Sequence, residues 1–173
     1  MKALANNQLL IDLGISPELI TARNLCQYEE AGSLQLAEVG EDGREHLLTS
    51  EAAMAWHRMK MAAEKDGEII FIVSAFRSIS RQVEIIRGKI EEGLSIEDIL
   101  TICAPPGFSE HHTGRALDLS THGIENLSEE FENSTAFEWL NRNASRYFFS
   151  LSYPRGNSQG YQFEPWHWRY GPT

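Results

Sequence analysis

An aspartate set between two leucines, Leu117-Asp118-Leu119, and a histidine set between two tryptophans, Trp166-His167-Trp168, constrain this chain more than any other feature. Both triplets read as parts of strands, Arg115 to Ser120 and Tyr161 to Tyr170, because apolar and aromatic residues suit a pleated, half-buried surface. Apolar neighbours draw such strands inward, and an ionisable group buried beside them needs a partner. A metal ion is one such partner. Zinc in a hydrolase takes three nitrogen or oxygen ligands from protein and leaves one position for water. The groups able to supply them are concentrated in two segments, Ser109-Glu110-His111-His112-Thr113-Gly114-Arg115-Ala116-Leu117-Asp118 and Glu164-Pro165-Trp166-His167-Trp168.

The remaining elements follow from periodicity. The first 32 residues read as a short helical or irregular lead-in. Leu34 to Val39 alternates with period two, and His46 to Thr49 can pair back onto it as a hairpin across Glu41-Asp42-Gly43-Arg44. From Ser50 to Gly67 the recurrence of Ala52, Trp56, Met59 and Ala63 predicts a helix with a core-facing stripe. Glu68 to Val73 is a buried strand leading into Ser74-Ala75-Phe76-Arg77-Ser78, so Arg77 lies at a strand end. Helices follow around Val83, Ile86 and Ile90, after Ser95, and over Ser134 to Asn143 with Phe137 and Leu140 inward; Tyr147 to Tyr153 is a further aromatic strand. The regular alternation of a parallel sheet is missing. The pattern predicts a single α+β domain with a mainly antiparallel sheet and helices packed against it.

Bulk properties bound the function. A length of 173 residues with 42% hydrophobic residues supplies one domain with a real core. With 25 acidic against 15 scattered basic residues, the net charge of -10 argues against nucleic acid as a partner. Any anionic polymer would have to be held by local contacts in a pocket rather than steered from afar. Cys26 and Cys103 lack the paired spacing of a thiolate zinc site and read as two ordinary buried thiols, with a single disulfide as the alternative. No run approaches the roughly 18 apolar residues of a membrane span. Met1 to Asn7 shows no export signal, so the chain as written is expected in the cytoplasm, or in the periplasm or cell wall if a signal was removed.

Ser-x-His-x-x-Gly-x-Ala-x-Asp at Ser109, His111, Gly114, Ala116 and Asp118, followed by Glu-x-x-His at Glu164 and His167, resembles the signature of the VanY-type zinc D-alanyl-D-alanine carboxypeptidases. Their relatives include LD-carboxypeptidases, VanX-type dipeptidases and L-alanyl-D-glutamate endolysins. Ser74, Phe76, Arg77 and Ser78, with Gln82 after them, match a further element of the family, with phenylalanine in place of the frequent tyrosine. The resemblance covers about residues 47 to 171 and implies a hedgehog/DD-peptidase-like domain. Residues 1–45 are then a lead-in and hairpin of the same domain, and residues 46–173 the zinc peptidase core.

Carried over by position, the resemblance implies that His111, Asp118 and His167 ligate Zn2+ and that Glu164 is the catalytic base. His112 could replace His111 on proximity alone, but the family spacing selects His111. Residues three apart in a regular strand face opposite ways, so Glu164 and His167 can share a site only if the backbone turns, and Pro165 fits such a break. Arg77 is expected to act in catalysis or to bind a carboxylate, and Ser109, Gln82, Tyr161 and Trp168 to surround the substrate. Trp166 and Trp168 would wall the site. His46, His57 and His122 read as packing or surface residues. The expected substrate is a peptidoglycan stem peptide or muropeptide, cleaved next to a D-amino acid by a D,D- or L,D-carboxypeptidase. The alternatives are an L-alanyl-D-glutamate endopeptidase and a non-catalytic zinc-containing binding module.

Overall fold

The computed structural model describes residues 8–171, and its centre is a four-stranded sheet in the order β3-β4-β6-β5, every pair antiparallel. The strands are β3 (Phe71–Ser74), β4 (Ala116–Ser120), β5 (Phe149–Leu151) and β6 (His167–Tyr170). A separate hairpin, β1 (Gln35–Val39) with β2 (Glu45–Leu48), carries an irregularity between Leu36 and Glu38. The α-helices that lie wholly within the described residues are α1 (Pro17–Ala22), α2 (Ser50–Lys65), α3 (Ile79–Glu91), α4 (Ile96–Ile102) and α5 (Thr135–Asn143). The α+β architecture read from the sequence is the one observed. Met1 to Asn7, where an export signal was sought, lie outside the described residues.

The buried apolar residues form two clusters, of which the first packs on the sheet. Helix α2 buries Ala52, Trp56, Met59 and Ala63, the stripe that its spacing predicts, and α5 buries Ala136, Trp139 and Leu140. These meet Ile70 just before β3 and Ile72, Leu117, Leu119, Phe149 and Trp168 from the sheet, and Ala37 and Leu48 bring the hairpin into the same cluster. A second cluster joins Leu10, Leu13 and Ile15 of the lead-in to Val83 and Ile86 of α3 and to Ile99, Leu100 and Cys103 at α4. The lead-in is helical over residues 8–12 and again in α1. Arg23 stitches it down: Nε donates to the Gln159 carbonyl at 2.5 Å, Nη1 to the Leu100 carbonyl at 2.6 Å, and the guanidinium stacks 4.5 Å above the Tyr161 ring.

Three expectations are corrected. The strand read over Tyr161 to Tyr170 contains only β6, because the backbone N–H of Tyr161 donates to the Asn157 side chain and that of Gln162 to the Thr101 carbonyl instead of to a neighbouring strand. The strand read over Tyr147 to Tyr153 shrinks to β5, since Ala144–Tyr147 form a 3-10 turn and Phe148 takes φ 63 to leave it. Cys26 and Cys103 are both free thiols, but only Cys103 is buried.

Trp56 is fully buried and its indole N–H donates to Glu38 Oε2 at 3.1 Å, which ties α2 to the hairpin. Truncation leaves a cavity and removes one of the donors to Glu38, which keeps Lys60 and the Ile72 N–H, so Trp56→Ala should lower stability by about 3–5 kcal/mol, read from urea unfolding.

Candidate metal centre and active site

Register builds the site. Strand β4 pairs with β6 so that Asp118 lies opposite His167 and Leu117 opposite Trp168, while β3 sets Ser74 against the other side of Asp118. Directly opposed residues hold their Cβ atoms about 5 Å apart. Side chains alternate across a strand, so Leu117, Leu119 and Trp168 enter the core and Asp118 and His167 emerge on the opposite face. That alternation corrects the expectation for Trp168: it is 3% exposed, packs against Phe137 in the core, and its indole N–H donates to the Pro165 carbonyl at 3.0 Å. Trp166 does line the cavity.

His111 arrives on a 3-10 turn, Glu110–Thr113, whose N-cap Ser109 accepts the His111 N–H at 3.3 Å. Gly114 closes the turn at φ 62, and a Cβ there would stand 2.7 Å from Leu34 Cδ2. Only glycine combines that left-handed backbone with that close approach. The motif glycine therefore fixes the angle at which His111 departs from β4.

His111 Nε2 lies 3.1 Å from Asp118 Oδ2, and His167 Nδ1 lies 3.0 Å from Asp118 Oδ1. One donor atom from each residue falls within 4.8 Å of the others, and all three residues are buried. The remaining ring nitrogens are engaged elsewhere: His111 Nδ1 with the Ala75 carbonyl at 2.6 Å, and His167 Nε2 with Glu110 Oε2 at 3.0 Å. Two oriented imidazoles and a carboxylate facing one point suit a divalent cation of the zinc type. His112 faces away, its Nδ1 against the Arg77 carbonyl at 2.6 Å and its Nε2 accepting the Gly107 N–H at 3.1 Å.

Glu110 is the functional residue that sequence reading missed. It is 5% exposed; its Oε2 also accepts the Ser152 hydroxyl at 2.6 Å, and its Oε1 lies 3.3 Å from Arg169 Nη1. Burial opposes its ionisation, yet the His167 and Ser152 hydrogen bonds and the Arg169 charge hold its carboxyl down at about 2. Burial likewise opposes charge on His167, but hydrogen bonds to Asp118 and Glu110 carry its ring well above the usual imidazole range. Burial takes His111 the other way, below that range, against the pull of Asp118. Of the two rings, His167 is therefore the one whose surroundings favour the second, charging proton.

Glu164 reaches the same point by the expected break in the strand. The His167 N–H donates to the Glu164 carbonyl at 3.1 Å across a turn through Pro165 and Trp166, which brings Glu164 Oε2 to 3.7 Å from His167 Nδ1. Burial is the chief cause that raises its carboxyl to about 7; the lowering pull of His167 is countered by Asp118. Arg77 is half-buried with Nη2 3.7 Å from Asp118 Oδ2, held by Ser74 Oγ and Gln82 Oε1, each at 3.0 Å. Gln82 is fully buried, and its amide also donates to the Ala104 carbonyl at 2.7 Å, so it positions Arg77 instead of touching substrate. These side chains open onto a cavity of about 440 Å³ that Ser109, Tyr153, Tyr161 and Trp166 also line. Tyr153 lies against His167 with ring centroids 4.6 Å apart. Among the other histidines, His46 is buried in packing, His57 Nε2 contacts the Ala37 carbonyl at 2.6 Å and His122 is exposed.

Residues 45–173 match the sequence model of the VanY family, D-alanyl-D-alanine carboxypeptidase. The chain belongs to the VanY family. YodJ of Bacillus subtilis (strain 168) is 36% identical over 134 residues, covering 73% of this chain and 47% of YodJ. The chain spans less than half the length of the first curated relatives it matches. Among solved VanY-like structures, the LdcB LD-carboxypeptidase matches with a TM-score of 0.73 at 34% identity, over 82% of this chain and 69% of LdcB. A variant of the vancomycin resistance D,D-pentapeptidase VanY, solved in complex with Zn(II), matches with a TM-score of 0.62 at 28% identity, over 80% of this chain and 79% of VanY.

Removing Asp118 or either ligating imidazole should abolish tight zinc binding, and Glu110→Ala should weaken it about 10–100-fold with Glu110→Gln intermediate, as read by chelator competition. Zinc must displace the His167 proton, whose binding the fold strengthens. Affinity should therefore rise by about tenfold per pH unit near neutrality, and calorimetry in paired buffers should count about one proton released.

Proposed function

We propose that this chain is a zinc peptidase that removes a D-amino acid from the carboxyl end of a peptidoglycan stem peptide. The observation that carries the reading is Glu164: a half-buried carboxylate 3.7 Å from a metal-facing imidazole nitrogen and raised to about 7. A structural ligand set needs no such neighbour, whereas a base is most useful with its pKa near the working pH. Retention of Glu164 beside His111, Asp118 and His167 also argues against a binding module that has lost catalysis. The Zn(II) complex of the related VanY supports zinc as the metal.

A zinc ion held by His111 Nε2, Asp118 and His167 Nδ1 would acidify water in its open position and polarise the scissile carbonyl. Glu164 accepts the proton of the attacking water on its carboxylate and returns it to the departing amine. Glu110 accepts the Nε2–H of His167, which leaves the Nδ1 lone pair aimed at the metal beside Asp118. Arg77, locked by Ser74 and Gln82, presents its guanidinium beside Asp118 to the anionic end of the substrate. Tyr153 and Trp166 narrow the cavity and limit water around the reacting atoms.

On defined muropeptides the expected product is a free terminal D-amino acid; cleavage at an internal bond with no free D-amino acid would identify an endopeptidase instead. Glu164→Gln should lose about 10²–10⁴-fold in kcat while keeping one zinc per chain. Activity should also fall on the acid side as Glu164 takes up its proton, with the midpoint below about 7 because a bound cation favours the carboxylate. An inactive zinc-loaded wild type across D,D-, L,D- and endopeptidase substrates would overturn the reading.

A further inference from the structure

His112 follows a presumed metal ligand directly, is fully buried, and has no part in the reaction described above. Its ring turns away from the point that His111, Asp118 and His167 share and bridges two backbone groups. The Gly107 N–H, which can only donate, lies 3.1 Å from Nε2, so Nε2 is the acceptor and the ring proton sits on Nδ1. Nδ1 therefore donates to the Arg77 carbonyl, 2.6 Å away. Both ring nitrogens are committed, and one of their partners is the backbone of the arginine beside the metal centre.

Arg77 needs such a hold because no regular element supplies one. It lies between β3, which ends at Ser74, and α3, which begins at Ile79. Its N–H donates to the His111 carbonyl at 3.2 Å and its carbonyl accepts from the His112 ring, so its backbone hangs on the 3-10 turn that carries both histidines. The guanidinium is fixed separately, by Ser74 and Gln82. Gln82 also donates to the Ala104 carbonyl, and Ala104 leads through Pro105 and Pro106 to Gly107. The bonds close a circuit: from the Arg77 guanidinium to Gln82, along residues 104–107, through the His112 ring and back to the Arg77 carbonyl. Two prolines stiffen the loop, the Phe108 N–H closes it on the Pro105 carbonyl at 2.9 Å, and the Tyr28 N–H pins the Gly107 carbonyl at 2.7 Å.

We propose that His112 is a positioning residue: by holding the Arg77 backbone, it fixes the guanidinium where it meets the anionic end of the substrate. This rests on the peptidase reading, in which Arg77 takes that anion. An arginine held only at its tip swings with its backbone, whereas one held at both ends presents its fork in one place. Without the ring, the Arg77 carbonyl and the buried Gly107 N–H both lose a partner, and the loop must shift to find another. The loss falls on the anion site, since His111 keeps its own bond to the Ala75 carbonyl.

The test uses the zinc-loaded full chain carrying Glu164→Gln to slow turnover, and calorimetry with one D-Ala-terminated peptide as its free acid and as its carboxamide. Adding His112→Phe should weaken binding of the free acid by about tenfold and leave the carboxamide unchanged. His112→Gln, which offers a donor and an acceptor from one amide, should restore the difference. In an Arg77→Met background His112→Phe should cost nothing further, because its effect runs through Arg77. With Glu164 in place, the same substitution should raise KM more than it lowers kcat. Zinc content and thermal unfolding identify loss of fold; if His112→Phe does not fold, His112→Asn, which keeps only the donor to Arg77, should show an intermediate loss. Equal losses for both peptides, undiminished affinity, a loss that persists without Arg77, or a parent indifferent to the terminal carboxylate overturns the role of His112 and leaves the peptidase reading standing. Selective binding of the free acid by a chain whose wild type cleaves no stem peptide overturns the peptidase reading and leaves the role of His112.

Discussion

The pairing of Asp118 with His167 across β4 and β6 is the constraint on which the rest depends. A one-residue slip would turn both side chains into the core and bring Leu117 and Trp168 to the surface. The core on the other face opposes that slip, because Leu117, Leu119 and Trp168 are all but inaccessible beneath α2 and α5. Hydrophobic burial on one side of the sheet thus sets how Asp118 and His167 face each other on the other. The same register places Ser74 beside Asp118, and Ser74 in turn anchors Arg77.

Burying this many ionisable groups is tolerable because each charge is answered. Asp118 sits between two imidazoles and Glu110 between His167, Ser152 and Arg169. Burial alone would neutralise both carboxyls, and it is these partners that keep them ionised. Glu164 is the exception: with weaker compensation at 3.7 Å it stays near its titration point. The difference in ionisation between Asp118 and Glu164 therefore arises from the number and closeness of partners, not from residue type.

How much of this was legible differs by residue. The convergence of His111, Asp118, His167 and Glu164 could be read because motif spacing encodes turn geometry directly: Gly114 must be glycine, and Pro165 announces the break that turns Glu164 toward His167. Helix α2 was visible through its stripe, since a single face meets the core. Trp168 was misread although the signal was present, because the neighbour of a site-facing strand residue must face away. Gln82 and Glu110 were hidden for another reason. Each acts through contacts with residues far along the chain or across the fold, Cys103 and Ala104 for one, Ser152, His167 and Arg169 for the other. The aromatic stretches near 147–153 and 161–170 looked like long strands, but side-chain and helix-end acceptors captured their N–H groups.

Arg23 has a consequence for where such a domain can be cut. The family match begins at residue 45, yet the guanidinium of residue 23 reaches two backbone carbonyls and an aromatic ring in the matched region. The lead-in behaves as a fitted bracket for the cavity's outer wall. A chain starting at residue 45 would keep the pairing of Asp118 with His167 but lose the brace behind Tyr161, so the shape of that wall depends on residues upstream of the matched region.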